Sequence, residues 1–195
     1  MIKNGDIFNL NCGSIATVTN YIDSHNIEII TETGYKTTAE SGQLRKGQVY
    51  DKLLRKVYGV GYMGIGKYCR GSFAYSRWTS MLERCYSEKY QNKFPSYIMC
   101  TVSDRWHDLQ NFGKWFDNNY IEDYHLDKDL LLPGNKIYSE NTCIFIPQDV
   151  NSFLKISKNQ DNYYTKLKRK KLAKLIEKYP EYCDILNNYL ETQLK

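Results

Sequence analysis

The chain changes periodicity twice along its length. Over the first 48 residues apolar and polar positions alternate. Residues 14–22 (SIATVTNYI) are β-branched and roughly alternating, and residues 26–33 (NIEIITET) repeat the pattern. Asp23, Ser24, His25 and Asn26 supply the turn between them, and Thr33-Gly34 closes the second run. A third strand is expected over residues 35–38. Three short strands with tight turns predict a small twisted sheet or barrel. From residue 72 the apolar spacing becomes three or four. Tyr75, Trp78, Met81, Leu82 and Cys85 form one stripe, with Arg77, Glu83, Arg84 and Glu88 mostly opposite, so residues 72–90 read as helix. After a short strand over residues 97–102, Ser103 and Asp104 read as caps of a helix carrying Trp106, Leu109, Phe112, Trp115 and Phe116 on one face. These aromatics are expected in the core.

The segment 125–151, HLDKDLLLPGNKIYSENTCIFIPQDVN, holds two short apolar runs. A strand-like run ends in Asp127-Lys128-Asp129, a Pro133-Gly134-Asn135 turn follows, and Cys143-Ile144-Phe145-Ile146 forms the second run. A helix is expected from Gln148 to about Ser157. Residues 166–178 predict a basic amphipathic helix with Leu167, Leu172, Leu175 and Ile176 on its apolar face. Pro180 ends it, and residues 182–194 form a last helix. The fold class is therefore α+β, divided as a small β domain (1–48), a Gly/Tyr-rich basic linker or arm (49–71), a region of helices around a strand–strand–helix unit (72–157), and a basic helical C-terminus (158–195).

Composition narrows the functional classes. Hydrophobic content of 42% over 195 residues suffices for a folded core. The net charge of +5 permits a polyanionic partner without demanding one, but the cations are clustered. Arg45, Lys46, Lys52, Arg55 and Lys56 form one group; Lys166, Lys168, Arg169, Lys170, Lys171, Lys174 and Lys178 form another. None of the six cysteines has CxxC spacing, which argues against a cysteine zinc site. No signal peptide or apolar run of membrane length is visible, so a cytoplasmic protein with reduced thiols and no membrane partner is expected. Residues 59–64 spell GxGxxG. A dinucleotide fingerprint needs a preceding parallel strand, a following helix and a downstream acid, whereas Gly66 and Lys67 follow here. The segment reads either as an extended arm or as a glycine-punctuated hairpin.

Residues 73 to about 154 resemble the HNH, or His-Me finger, endonuclease-like proteins of bacteriophages. The resemblance is carried by Tyr75, Trp78, Met81 and Arg84-Cys85-Tyr86; by Val102 through Trp106, with Phe112 and Trp115; and by the segment from Asp127 to Asn151. It implies a strand–loop–strand–helix finger, a bacterial host cell, and double-stranded DNA as partner. Asp127 falls where the family's first acid stands, Thr142 where an asparagine orients the base, and Asn151 where the helix supplies a metal ligand. Mg²⁺ or another divalent cation is the implied cofactor of an active member. Lys128 falls where the family has its general-base histidine. A lysine with an ordinary pKa of about 10.4 is protonated at neutral pH and accepts no proton, and losing a general base costs roughly 10² to 10⁴ in rate. His125 shares the strand face of Asp127 but lies one strand step from the matching position.

Three functions follow. The first is a phage-type DNA-binding protein whose nuclease activity is weak or lost. Its phosphate contacts would be Arg45, Lys46, Arg55, Lys56, Lys67, Lys166, Lys168, Arg169, Lys170, Lys171 and Lys174. The second is an active metal-dependent endonuclease in which His125, Asp127 and Lys128 form the catalytic group and Asp127 and Asn151 hold the metal. The third is a phage interaction protein that inhibits a host defence enzyme.

Overall fold

The computed structural model describes the backbone of residues 1–154 and 162–194, and the side chains of residues 1–154 and 167–191. Residues 155–157, expected to extend a helix, and the side chain of Lys166 lie outside the described part.

The molecule is α+β. Strands β1 (Ile7–Asn9), β2 (Ile15–Tyr21), β3 (Ile27–Thr31) and β4 (Lys36–Ala39) form an antiparallel sheet in sequence order. The alternation turns Ala16 and Val18 of β2 and Ile27 and Ile29 of β3 inward. There they meet Ile2, Leu10 and Leu44, the last from α1 (Ser41–Arg45). β1 adds an edge that the sequence pattern did not indicate, because it is only three residues long and turns a single side chain, Phe8, toward the core.

Residues 49–71, expected as a linker or extended arm or as a glycine-punctuated hairpin, are packed, and they contain the hairpin. Val57 and Gly61 bridge as a tight hairpin. Met63 and Tyr68 are buried in the central core. Gln110 clamps the segment: its Nε2 donates to Met63 O (2.7 Å) and Tyr68 O (2.9 Å), and its Oε1 accepts from Tyr68 N (3.0 Å). Gly64 is required at its position, since its φ is +67° and a Cβ there would stand 2.0 Å from Asp108 Oδ1. Asp51 ties the segment to the sheet. Its buried carboxylate accepts from Ser14 Oγ (2.7 Å), Thr33 Oγ1 (2.8 Å) and Leu53 N (3.0 Å).

The central body packs α2 (Phe73–Tyr86), α3 (Glu88–Lys93) and α4 (Leu109–Asn119). Ser72 caps α2 by accepting from Tyr75 N (3.1 Å), and Asp108 caps α4 by accepting from Gln110 N (2.8 Å). Ser103 precedes a 3₁₀ turn, Asp104–His107, which seats Trp106 in the core. Trp78 Nε1 donates to Trp106 O at 2.7 Å, so two buried tryptophans fix α2 against this turn.

β5 (Thr101–Val102) pairs in parallel with β7 (Ile137–Tyr138), and β6 (His125–Asp127) pairs antiparallel with β8 (Ile144–Ile146). α5 (Gln148–Leu154) follows β8 directly. α6 (Asn162–Lys178) and α7 (Cys183–Leu194) complete the C-terminal part, with Leu172, Leu175, Leu186 and Leu190 packed on Ile146, Val150 and Phe153. No helix among the described residues is long and apolar enough to cross a membrane.

Candidate functional site

β6, β8 and α5 form a strand–strand–helix unit. Register places His125 opposite Ile146 and Asp127 opposite Ile144. The 16 residues between the strands are bound to the rest of the protein by β7. Thr101 N donates to Lys136 O at 2.8 Å and Ser103 N to Tyr138 O at 2.9 Å.

Asp127 is buried at the end of β6. Its Oδ2 accepts from Asp129 N and Leu130 N, both at 2.7 Å, so the carboxylate turns the chain out of the strand. Burial pushes its pKa above the usual carboxylate range, against the pull of these two amides. Lys128 is buried as well. Its Nζ donates to Asp129 Oδ1 (2.7 Å) and Asn135 O (2.9 Å). Burial pulls the ammonium pKa down, but the hydrogen bond and the charge of Asp129 outweigh it, and the net shift is upward. Lys128 therefore stays protonated and occupied.

Asn135 completes the loop, and sequence reasoning passed over it. Its Nδ2 donates to Lys128 O (3.0 Å) and Ile137 O (2.7 Å), while its Oδ1 accepts from Ile137 N (3.1 Å). A signal was present, since Asn in a Pro-Gly-Asn turn commonly bonds nearby backbone. Thr142 serves the next turn: its hydroxyl donates to Ile137 O (2.7 Å) and accepts from Ser139 N (3.1 Å). Cys143 is buried, and burial pushes its thiol up to about 12, which leaves it a core residue.

Asn151 meets β6 at His125. Its Nδ2 lies 3.3 Å from His125 Nδ1, and both side chains reach the surface. Asp127 lies two residues further along the strand, roughly 7 Å away at strand rise. Asn151 Nδ2 is the donor of this contact and His125 Nδ1 its acceptor. The expected metal pair, Asp127 and Asn151, does not fit a divalent cation as arranged. One oxygen of Asp127 is committed to two amides, the amide of Asn151 is turned to His125, and the adjacent ammonium of Lys128 repels a cation. Among the described residues no group of three or more His, Cys, Asp or Glu side chains is placed to hold a metal.

The cations divide into tied and free sets. Lys56 Nζ donates to the Cys12 carbonyl, and Lys67 pairs with Asp117 at 2.7 Å. Arg55 stands over the Tyr62 ring at 5.8 Å. These side chains hold the 49–71 segment in place. Arg45 and Lys46 lie on and just after α1. On α6, Lys178 pairs with Asp149 of α5 at 2.7 Å. Arg169, Lys170, Lys171 and Lys174 are exposed and form no ion pair among the described residues. Lys168, on the same helix, is half-buried. At 100° per residue, Lys170 and Lys174 fall on the side opposite Leu172, Lys171 lies between the two sides, and Arg169 falls nearer the Leu172 side.

In comparisons with known proteins the chain matches no family model, and neither the curated proteins nor the solved structures contain a significant match.

Proposed function

We propose that this chain is a DNA-binding protein of the phage HNH-endonuclease type in which the finger is a scaffold and nuclease activity is weak or lost. The observation that supports it most is the cationic face of α6 seated on the finger helix. Leu172 and Leu175 pack against Val150 and Phe153, and this holds Lys170, Lys171 and Lys174 outward beside the strand–strand–helix unit. Unpaired lysines one turn apart suit a row of phosphates. The loss of activity is argued from Lys128, whose ammonium takes the place of a base and is held by Asp129 and Asn135. The active-nuclease alternative rests on His125, whose Nδ1 is engaged by Asn151 Nδ2 at 3.3 Å.

The test is duplex DNA binding as a function of salt, with plasmid nicking in Mg²⁺ and Mn²⁺ run beside it. Log affinity is expected to fall linearly with log salt. The double variant Lys170→Glu/Lys174→Glu should shrink that slope by about two, at roughly 0.9 per phosphate contact. Nicking should stay near background. Duplex binding independent of salt, or nicking that disappears in Asp127→Ala or His125→Ala, refutes the proposal.

A second reading, a role in binding a host protein, is favoured by exposed apolar side chains around the β5–β7 pair: Ile98, Met99, Leu131, Leu132 and Ile137. A protein that ignores DNA at all salt concentrations but captures a partner through this patch would support it.

A further inference from the structure

A groove of about 770 Å³ runs between the finger helix and α6. This lies within the roughly 300–1,000 Å³ of small-ligand sites. Pro147, Phe153 and Leu175 line it with the exposed edges of otherwise buried apolar side chains, and Tyr124 and Tyr179 line it as well. One edge is a lysine ladder, Lys171, Lys174 and Lys178. At 1.5 Å rise per residue these steps are about 4.5 and 6 Å along the helix.

The three lysines are not equivalent. Lys178 is held by Asp149 and stands over the Tyr179 ring, 4.9 Å from its centre. Lys171 and Lys174 have no carboxylate partner among the described residues. The other carboxylate of the lining, Asp123, repels an anion at its own end, which leaves the Lys171–Lys174 edge as the place for one. The exposed amide of Gln148 adds a polar group able to meet a base edge.

We infer that this groove binds single-stranded nucleic acid, with phosphates on Lys171 and Lys174 and a base laid over the apolar lining beside Tyr124 and Tyr179. The inference rests on the DNA-binding reading and deepens it. An intact duplex keeps its bases stacked inside and offers only phosphates and groove edges. A lining of Pro, Phe and Leu edges beside two tyrosines contributes nothing to such a ligand. A single strand presents anionic backbone and flat apolar faces together, which is the pairing found here.

The test uses the full chain and fluorescein-labelled twelve-nucleotide oligo-dT beside a duplex of equal length, measured by anisotropy at one fixed salt concentration. Ser152→Trp fills the groove from its exposed lining position without changing charge. It is expected to weaken oligo-dT binding at least tenfold and duplex binding less than twofold. Tyr179→Ala should cost oligo-dT about tenfold through lost stacking, and it serves as the second variant should the filled groove impair folding. If the duplex binds but oligo-dT does not, or if both variants leave oligo-dT affinity unchanged, the groove assignment falls and the duplex reading stands. If the wild type binds neither, both fall. A twelve-residue poly-glutamate peptide that competes as well as unlabelled oligo-dT shows charge alone and overturns base recognition.

Discussion

Replacing Lys128 by methionine separates a scaffold from a chemical role at the head of the finger loop. The methionine keeps an unbranched stem over the Tyr138 ring, where the ammonium stands at 5.8 Å. What is lost is the pair of hydrogen bonds, to Asp129 Oδ1 at 2.7 Å and Asn135 O at 2.9 Å. Removing one partner of a fully buried ion pair costs about 3–5 kcal/mol. Here the Asp129 side chain is 40% exposed and rehydrates when its partner goes, which lowers the figure. A hydrogen bond to a charged group is worth about 1.5–3 kcal/mol, and the half-buried Asn135 carbonyl recovers part of its loss from water. The net expectation is about 2 kcal/mol, or a fall in Tm of about 4–8 °C for a chain of this size. All three tryptophans, Trp78, Trp106 and Trp115, lie in or against the central core, so tryptophan fluorescence reports the body to which the finger is attached. Because the folded pKa of Lys128 lies above its ordinary 10.5, its stabilisation is complete below that pH and is lost as pH rises through the folded value. The gap between wild type and Lys128→Met should therefore hold constant at neutral pH and close only in alkali. A variant that melts within 1 °C of wild type at pH 7 would remove Lys128 as a structural clamp.

Asn135→Ala deletes three hydrogen bonds of the same loop and should cost about 2 kcal/mol by chemical denaturation, at 0.5–1.5 kcal/mol for each bond net. Gly113→Ala places a Cβ 2.4–2.6 Å from three Tyr68 ring atoms and should lower stability by about 1–3 kcal/mol through overpacking, read as a lower urea midpoint. Burial holds the His107 imidazole below its ordinary 6.5, with Asp104 opposing, so its contribution is present above pH 6.5 and lost as pH falls through the folded value. His107→Gln should accordingly flatten the decline in Tm between pH 7 and pH 5; an unchanged slope would exclude His107 as its source.

Much of the architecture was legible because it follows periodicity. β2 and β3 stand where period two runs longest, and α2 and α4 where apolar residues recur at three and four. The basic helix and its stop at Pro180 also follow from pattern and turn chemistry. What escaped depends on distant partners. The 49–71 segment looks like an arm because its glycines and cations are read one at a time. Only Gln110, some 42 to 47 residues away, shows that its carbonyls are clamped. Ser103 is as good a capping type as Asp108, and the choice between them is made by Trp106, which has to reach the core from the intervening turn. At the site, the family resemblance pointed to Asp127 and Asn151 as a pair. Pairing register and the position of α5 bring Asn151 to His125 instead, and neither is encoded in a local string.

The strand–strand–helix unit tolerates change at its head because its strands are structural twice over. On β8, Phe145 points into the central core, stacked on Trp115 at 5.5 Å and edge-on to Phe116 and Tyr120. Its neighbours Ile144 and Ile146 face the other way, toward Val150 and the C-terminal helices. Two hydrophobic cores thus meet across a strand of three residues. Burying each large apolar side chain contributes about 1.5–3 kcal/mol, far above the 0–1 kcal/mol of an exposed ion pair such as Lys178–Asp149. The orientation of α6 is therefore set by Leu172, Leu175 and Leu186, with Tyr182 Oη donating to Phe145 O at 3.3 Å as a further tie. None of these contacts involves Lys128, His125 or Asn151. Substitutions at the head of the β6–β8 loop therefore leave the two cores, and hence the placement of the lysine face, intact.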